Sequence, residues 1–551
     1  MLRAKRFPPK RSGKTRILPR RGLHAVPSTF KFLPSISTYY SILTPMTHYS
    51  QLKSFVIVTL TVSLSLLFCA ACEPADDDQR QHLVIVFDGL RADYITHDIM
   101  PNLYRLGQEG VVADNHHVVY PPVTRVNSPS LATGSYPGTH GLMHNQIYLP
   151  EISDEPIHTG NDVESLMAVD PLLTATSLGQ WMEMEDLTLF AGSSGSYGSS
   201  FLLNPAVSGA GVWNSRGFFV PDENRNMALE AFGELPEIST PNYEQNRWVI
   251  NTWLHFAVDE FTADASILWI TDPDRTAHTY GIGAPETLTA LRHVDEELGR
   301  LLDELDERGL LEQTNIFITT DHGFSTHKGG FNVSDILQEQ DLLEGARVIG
   351  NTQIYLEEPD EERIRQIVQV LQQHPAVGAI FTPPGEQDET DGRVEGTLSM
   401  ELIYYNHERA ADIFVTAAWS DETNEFGYAG TSTQGGTAGH GTASPYELQT
   451  AMIISGPDFK NGVVSPVPTG NVDLAPTILY LLGLSLPESM DGRIMHELLV
   501  DGPDPESISV QIDRYETGPV EWDPDYKMTL EKARTGESAY LRQARIVRNN
   551  E

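Results

Sequence analysis

The chain of 551 residues has two cysteines, Cys69 and Cys72, and both precede the body of the protein. A body without cysteine holds no disulfide and offers no thiolate, so any metal ion there must be bound by imidazole and carboxylate. Acidic residues are absent from residues 1–72, which carry 11 of the 37 lysines and arginines. The rest of the chain is short of positive charge, with 26 basic residues against 76 acidic ones. Such a surface repels polyanions, which excludes a role in coating nucleic acid. A phosphate-bearing ligand of this body needs local positive charge, and bound metal is one source of it. The same acidity also suits solvation in a salty habitat. Disorder is excluded as well, because 40% hydrophobic residues with 44 Gly and 35 Pro describe a globular, loop-rich protein. No internal repeat is present.

The start of the chain concerns targeting. Residues 54–71, SFVIVTLTVSLSLLFCAA, form an apolar run after Lys53, and Cys72-Glu73-Pro74-Ala75-Asp76-Asp77-Asp78 follows it. An apolar stretch, small residues, a cysteine and an abrupt polar segment resemble a bacterial lipoprotein signal. The pattern predicts export to the cell envelope with a lipid anchor at Cys72; an uncleaved transmembrane anchor is the alternative. Met46 opens MTHYSQLK, a conventional basic leader, and competes with Met1 as the start. The organisation expected is therefore a targeting segment (1–72), a linker (73–81), a large α/β domain (82–500) and a C-terminal extension (501–551).

Four largely apolar runs, His82–Phe87, Ser266–Ile270, Ile316–Thr320 and Ala451–Ser455, predict buried strands of a mostly parallel sheet. Between the second and third, Leu288, Leu291, Val294, Leu298, Leu301, Leu302 and Leu305 recur at helical spacing. They predict a helix from Glu286 to Arg308, stopped by Gly309. Strand, helix, strand with short connections argues for a parallel α/β unit. Another helix is expected after Asn471-Val472-Asp473, with Asp473 as its cap. Two stretches, 150–245 and 380–430, read as insertions, either capping a site or elaborating the surface.

Ligands of open parallel sheets sit beyond the carboxyl ends of the strands. Three such ends carry Asp88, Asp274 and the pair Asp321-His322. One carboxylate at a strand end is usually a turn or cap residue, but three with histidines nearby call for another explanation. Asp274 and His278 stand four apart at the start of a helical turn, and His440 sits in the loop Gly435-Gly436-Thr437-Ala438-Gly439-His440-Gly441. Three Asp and three His suit two zinc ions with open coordination positions. Thr124 lies in Pro121-Pro122-Val123-Thr124-Arg125-Val126-Asn127, a loop running into a helix, where a hydroxyl is either a nucleophile or an ordinary helix cap.

The ordered set FDG, PPVTRVN, ATGSYPGTHG, DPDRTAH, TTDHG and GHG resembles the alkaline phosphatase superfamily, and within it the type I phosphodiesterases/nucleotide pyrophosphatases. The resemblance covers roughly residues 82–500. It implies an alkaline-phosphatase-like core with a mostly parallel central sheet flanked by helices, and inserted cap segments. It also implies a two-zinc phosphodiesterase acting through a phosphothreonine on Thr124. One zinc would be ligated by Asp88, Thr124, Asp321 and His322, the other by Asp274, His278 and His440. The family's phosphate-binding asparagine falls 21 residues after the nucleophile, on Asn145, and Tyr280 resembles a pocket-lining tyrosine. Where nucleotide-cleaving members place an aromatic residue after the nucleophile, this chain has Arg125. Related sulfatases place cysteine or serine at the Thr124 position and arginine four residues later. Here Thr124 and Ser128 occupy those positions, which argues against a sulfatase.

The expected partner is thus a small-molecule phosphate ester, with the membrane reached only through the anchor and the oligomeric state not set by the sequence. A phosphomonoesterase on the same scaffold and a non-catalytic, metal-bearing binding protein are the competing readings. His116, His117, His140, His144 and His327 have no role in this scheme.

Overall fold

The computed structural model describes residues 80–386 and 389–548; the targeting segment and its Cys72 anchor lie outside the described residues. Its central ten-stranded sheet is built in chain order from β1 (Gln81–Phe87), β2 (Val111–His117), β3 (Leu189–Ser193), β4 (Gly211–Asn214), β5 (Phe219–Val220), β6 (Ala265–Ile270), β7 (Thr314–Thr319), β8 (Gln449–Ser455), β9 (Val463–Ser465) and β10 (Thr469–Gly470). Across the sheet the order is β9-β2-β8-β7-β1-β6-β3-β4-β5, with β10 beside β2. The five strands β7, β1, β6, β3 and β4 run parallel. The Ala451–Ser455 run was expected among parallel strands, but as β8 it lies antiparallel to both β7 and β2. A run buried on both faces looks the same in either direction, so periodicity did not reveal this.

The apolar character of β1 follows from its position between two layers. Leu83, Ile85 and Phe87 pack into one core cluster and Val84 and Val86 into another. The main helices used below are α1 (Thr124–Thr133), α2 (Asp274–Tyr280), α3 (Pro285–Glu307) and α4 (Leu474–Leu481). Helix α3 buries Leu291, Val294, Leu298, Leu301, Leu302 and Leu305 against the first cluster, and α4 buries Leu474 and Ile478 in the second. Pro285 opens α3, and Gly309, at φ +69°, ends it just beyond Arg308. Asp473 precedes α4 without capping it. Its carboxylate instead accepts from Gly470 N, Arg493 N and the Tyr540 hydroxyl.

The inserted stretches are divided differently from the sequence expectation. Within 150–245, three short strands (β3, β4 and β5) extend the central sheet itself. The separate layer is a five-stranded sheet, ordered Ala346–Ile349, Gln353–Leu356, Ile413–Ala417, Val377–Thr382 and Leu398–Ser399, with helix Glu361–Gln373 on it. That layer begins well before residue 380. Residues 511–547 form a three-stranded antiparallel sheet whose Met528, Leu530 and Leu541 pack with Phe381 and Phe414 of that layer and with Tyr120. The C-terminal extension is therefore a packing element joining two layers. Among the described residues no helix is long and apolar enough to cross a membrane.

Tyr540 ties this C-terminal sheet to the core through its 2.8 Å hydrogen bond to the buried Asp473 carboxylate. Tyr540→Phe leaves that oxygen short of a donor and should cost about 1–3 kcal/mol. Denaturant unfolding checks this, and an unchanged midpoint would show that the tie carries no stability.

Candidate metal centre and catalytic cleft

The three central parallel strands β7, β1 and β6 are neighbours, so their tips deliver Asp321-His322, Asp88 and Asp274 to one place. Backbone bonds hold the tips together: Asp274 N donates to Asp88 O at 2.9 Å, and Gly89 N donates to Asp321 Oδ1 at 3.1 Å. The glycine of FDG has a steric reason. Gly89 has φ +77°, and a Cβ there would lie 2.6 Å from the Phe324 ring and 3.1 Å from Asp274. Gly439 is likewise required by close approach, since a Cβ would lie 2.6 Å from His327 and 3.3 Å from His278.

Thr124 is the first residue of α1, and Val123 precedes it without any side-chain cap. The helix-cap reading of Thr124 thus finds no hydrogen bond to support it. Asn127 pins this first turn in place, accepting from Val119 N at 2.8 Å and donating to Val119 O at 3.0 Å. Thr124 is 6% exposed, and its hydroxyl faces His322 Nε2 at 3.4 Å.

The imidazoles are oriented alike. His278 Nδ1 donates to Ala438 O (2.9 Å), His322 Nδ1 to Gly323 O (3.0 Å) and His440 Nδ1 to Pro122 O (2.7 Å). A carbonyl only accepts, so each Nδ1 carries a proton and each Nε2 turns inward. Those nitrogens meet carboxylate oxygens; burial lowers the pKa of His278 and His322, but Asp274 at the first and Asp321 at the second outweigh it and raise both above the ordinary imidazole value. Asp274 Oδ1 lies 3.1 Å from His278 Nε2, 3.6 Å from His440 Nε2 and 4.0 Å from His322 Nε2. His322 Nε2 is also 3.2 Å from Asp321 Oδ2 and 3.5 Å from Asp88 Oδ1. The His322 and His440 rings stack with centroids 3.4 Å apart.

Asp88 Oδ1, Asp274 Oδ1 and Asp321 Oδ2 are buried without a hydrogen-bond partner. Among the described residues no lysine or arginine forms an ion pair with any of them. Burial, then the neighbouring Asp321 and Asp274 carboxylates, pushes the Asp88 carboxyl well above the usual carboxylate range. For Asp274, burial raises the pKa, but His278, His322 and His440 outweigh it and hold the group below its ordinary value. Burial, then His322 and His278, pushes His440 well down. An uncompensated buried charge costs several kcal/mol. Three of them rival the roughly 5–15 kcal/mol that keeps a domain folded, so the ionised cluster requires cations. The donor set of oxygens and imidazole nitrogens fits that need. The groups Asp274, His278, His440 and Asp88, Asp274, His322 each bring their ligand atoms within 4.8 Å of one another.

A cleft of about 410 Å³ opens on this cluster, lined by Thr124, Arg125, Asn145, Asp274, His278 and His440 together with His144, Gly350 and Thr352. Asn145 Oδ1 accepts from Arg125 N at 3.1 Å, fixing the asparagine beside the start of α1. Tyr280 stands elsewhere: it is 41% exposed at the end of α2 and does not line the cleft. Two residues past His278 is roughly 200° around a helix, so it faces away from the Asp274 and His278 side. His116, His117 and His140 have structural partners in Thr469 and Asn471, in Asn115, and in Ser130. His327 donates Nδ1 to Gly435 O and belongs to neither cluster.

The sequence pattern missed four contributors. Trp269, inside β6, donates its indole N–H to Asp88 Oδ2 at 2.9 Å, and nothing in an apolar strand announces that. His144, placed among the histidines without a role, lines the cleft next to Asn145, an adjacency that was visible. Gly350 and Thr352 come from the separate layer and carry no motif.

A mostly parallel sheet with carboxylates and imidazoles at the tips of its central strands is an alkaline-phosphatase-like core. Residues 82–423 match the type I phosphodiesterase/nucleotide pyrophosphatase family, which lies within the alkaline phosphatase superfamily, and the chain belongs to that family. Among similar proteins, venom phosphodiesterase CdcPDE of Crotalus durissus collilineatus is 29% identical over 254 residues, covering 45% of this chain and 27% of that protein. Bis(5'-adenosyl)-triphosphatase enpp4 of Xenopus laevis is 27% identical over 270 residues, covering 49% of this chain and 52% of that protein. Human ectonucleotide pyrophosphatase/phosphodiesterase family member 1 is 27% identical over 258 residues, covering 45% and 24%. The matched stretch thus spans between a quarter and about half of the length of these relatives.

If cations complete the cluster, chelation should lower the melting temperature of the domain. Asp274→Asn, at the carboxylate that reaches all three imidazoles, should lower bound metal as measured by plasma mass spectrometry. Metal content and melting both unchanged would contradict the assignment.

Proposed function

We propose that the chain is a metal-dependent hydrolase of phosphoric esters, chiefly diesters, in which Thr124 is the nucleophile. The observation that carries this reading is a buried, uncapping threonine hydroxyl set beside three partnerless carboxylate oxygens and three inward-turned imidazoles. Asp88, Asp321, His322 and Thr124 would hold one cation, and Asp274, His278 and His440 the other. The donor set favours zinc. When bound, such a pair polarises the nucleophile and neutralises charge on the leaving oxygen.

The chain's own residues supply the remaining steps. The threonine hydroxyl gives up its proton to solvent and its oxygen attacks phosphorus in line with the leaving group. The bond to the leaving oxygen breaks with its electron pair, that oxygen takes up a proton from solvent, and a phosphothreonine remains. Water then attacks that phosphorus from the vacated side, loses a proton, and the bond to the threonine oxygen breaks, which releases the phosphate and reprotonates the hydroxyl. Asn145, whose Oδ1 accepts from Arg125 N, would hold a nonbridging oxygen through its amide N–H. The loop before α1 and the N-terminal end of the helix favour the negative charge that develops there. Export with a lipid anchor at Cys72 belongs to the same proposal and is carried by the signal pattern alone. Incorporation of labelled fatty acid, lost in Cys72→Ala, tests it.

Thr124→Ala should lower turnover by roughly three orders of magnitude or more while the metal remains bound. Near-normal turnover in that variant would contradict the covalent route. Wild-type rates on bis(p-nitrophenyl) phosphate and p-nitrophenyl phosphate decide between diester and monoester. The diester should be the better substrate, and faster monoester hydrolysis would favour the phosphomonoesterase that an arginine beside the nucleophile also suits.

A further inference from the structure

The residue after the nucleophile, Arg125, has its backbone held by Asn145, while its guanidinium serves no structural partner. Among the described residues it forms no ion pair, and its Nε is buried with no hydrogen-bond partner. The guanidinium lies against Gly160, where a Cβ would come within 2.7 Å of Nη2 and 3.0 Å of Cζ, so that glycine makes room for it. Gly160 follows a two-stranded pair, Gln146–Ile147 with Ile157–His158, and Asn145 immediately precedes its first strand. Thr159 closes the unit by donating its N–H and hydroxyl to Asn145 O, at 3.1 and 2.7 Å. One small hairpin therefore sets both Asn145 and the ground beneath Arg125.

Two more donor-capable nitrogens near this guanidinium are buried without partners, His144 Nδ1 and His158 Nδ1. His144 is 6% exposed and lines the cleft, with its Nε2 3.3 Å from Thr352 Oγ1. A side chain at Gly350 would come within 3.1 Å of His144 Nδ1, and glycine at φ +57° leaves that nitrogen open. Arg125 and the open His144 Nδ1 at the wall of the cleft lack one thing, an anion in contact with them. Asp88, Asp274 and Asp321 act on the guanidinium only through space, without an ion pair, and the proposed metal centre would take up their charge.

We propose that Arg125, with His144 and His158 beside it, is a seat for a second anionic group that the substrate carries next to the phosphorus attacked by Thr124. The inference rests on the phosphoester reading of the same site and adds what selects the substrate. The guanidinium fork suits a phosphate or a carboxylate, both of which it grips through two parallel hydrogen bonds.

The test is binding to metal-loaded Thr124→Ala protein, which removes turnover. Two ligand pairs differ by one anionic group: AMP and ADP, and methylphosphonate and phosphonoacetate. In at least one pair the doubly anionic member should bind roughly 10- to 100-fold more tightly. Adding Arg125→Met, of similar length, should bring that ratio close to one, with Arg125→Lys between. A preference confined to ADP identifies the second group as phosphate, and one confined to phosphonoacetate identifies it as carboxylate; both support the seat. Ratios near one before the substitution, or ratios left intact by it, would overturn the proposal. Equal weakening of both members would also overturn it, because the arginine would then hold the reacting phosphorus group itself. A wild-type protein that cleaves no phosphate ester would sink the proposed function, and the binding ratios would still decide this one.

Discussion

Three carboxylates crowd together at the tips of neighbouring strands, each with one oxygen buried and without a hydrogen-bond partner, and among the described residues no lysine or arginine forms an ion pair with them. The rest of the site is arranged around that electrostatic debt. The parallel order β7-β1-β6 sets the spacing, and the glycines let backbone and ring approach closely enough to close the cluster. The carbonyls of Ala438, Gly323 and Pro122 hold the Nδ1 side of each imidazole, so that each Nε2 faces the carboxylates. Without metal, protons on His278 and His322 offset part of the carboxylate charge. With cations it would become an electrophilic surface at the foot of a cleft, and the proposed role of Thr124, at the start of α1, is to react there.

The supporting structure explains why such a cluster survives folding. β1 is sandwiched between two apolar layers, so its tip has little freedom. Asn127 clasps the first turn of α1 to the segment after β2, and the Asn145 hairpin braces the other side of the cleft. The C-terminal sheet joins the core to the five-stranded layer that contributes Gly350 and Thr352. Rigid elements carry the reacting groups, while substrate selection is left to loops and to the added layer.

Much of this was legible in the sequence, for a physical reason. Strands buried on both faces leave unbroken apolar runs, and a charged residue straight after such a run is conspicuous, which is how Asp88, Asp274 and Asp321 stood out. The helix α3 was legible through its leucine spacing to within a residue at each end. Strands β3, β4 and β5 were not, because runs of five, four and two residues among Gly, Ser and Asn carry no periodicity. The direction of β8 and the true extent of the second layer depend on tertiary pairing. Tyr280 was placed by resemblance, and the turn of α2 carries it away from the cleft. Trp269 acts through Asp88, far away in the sequence, which no local pattern encodes, whereas His144 stands directly beside Asn145.

An anomalous-scattering map from crystals of the metal-loaded domain tests the central claim most directly. The account predicts two peaks about 4 Å apart, one among Asp88, Asp321, His322 and Thr124 and the other among Asp274, His278 and His440. A single peak, or peaks bound elsewhere while the three carboxylates stay without a cation, would contradict it.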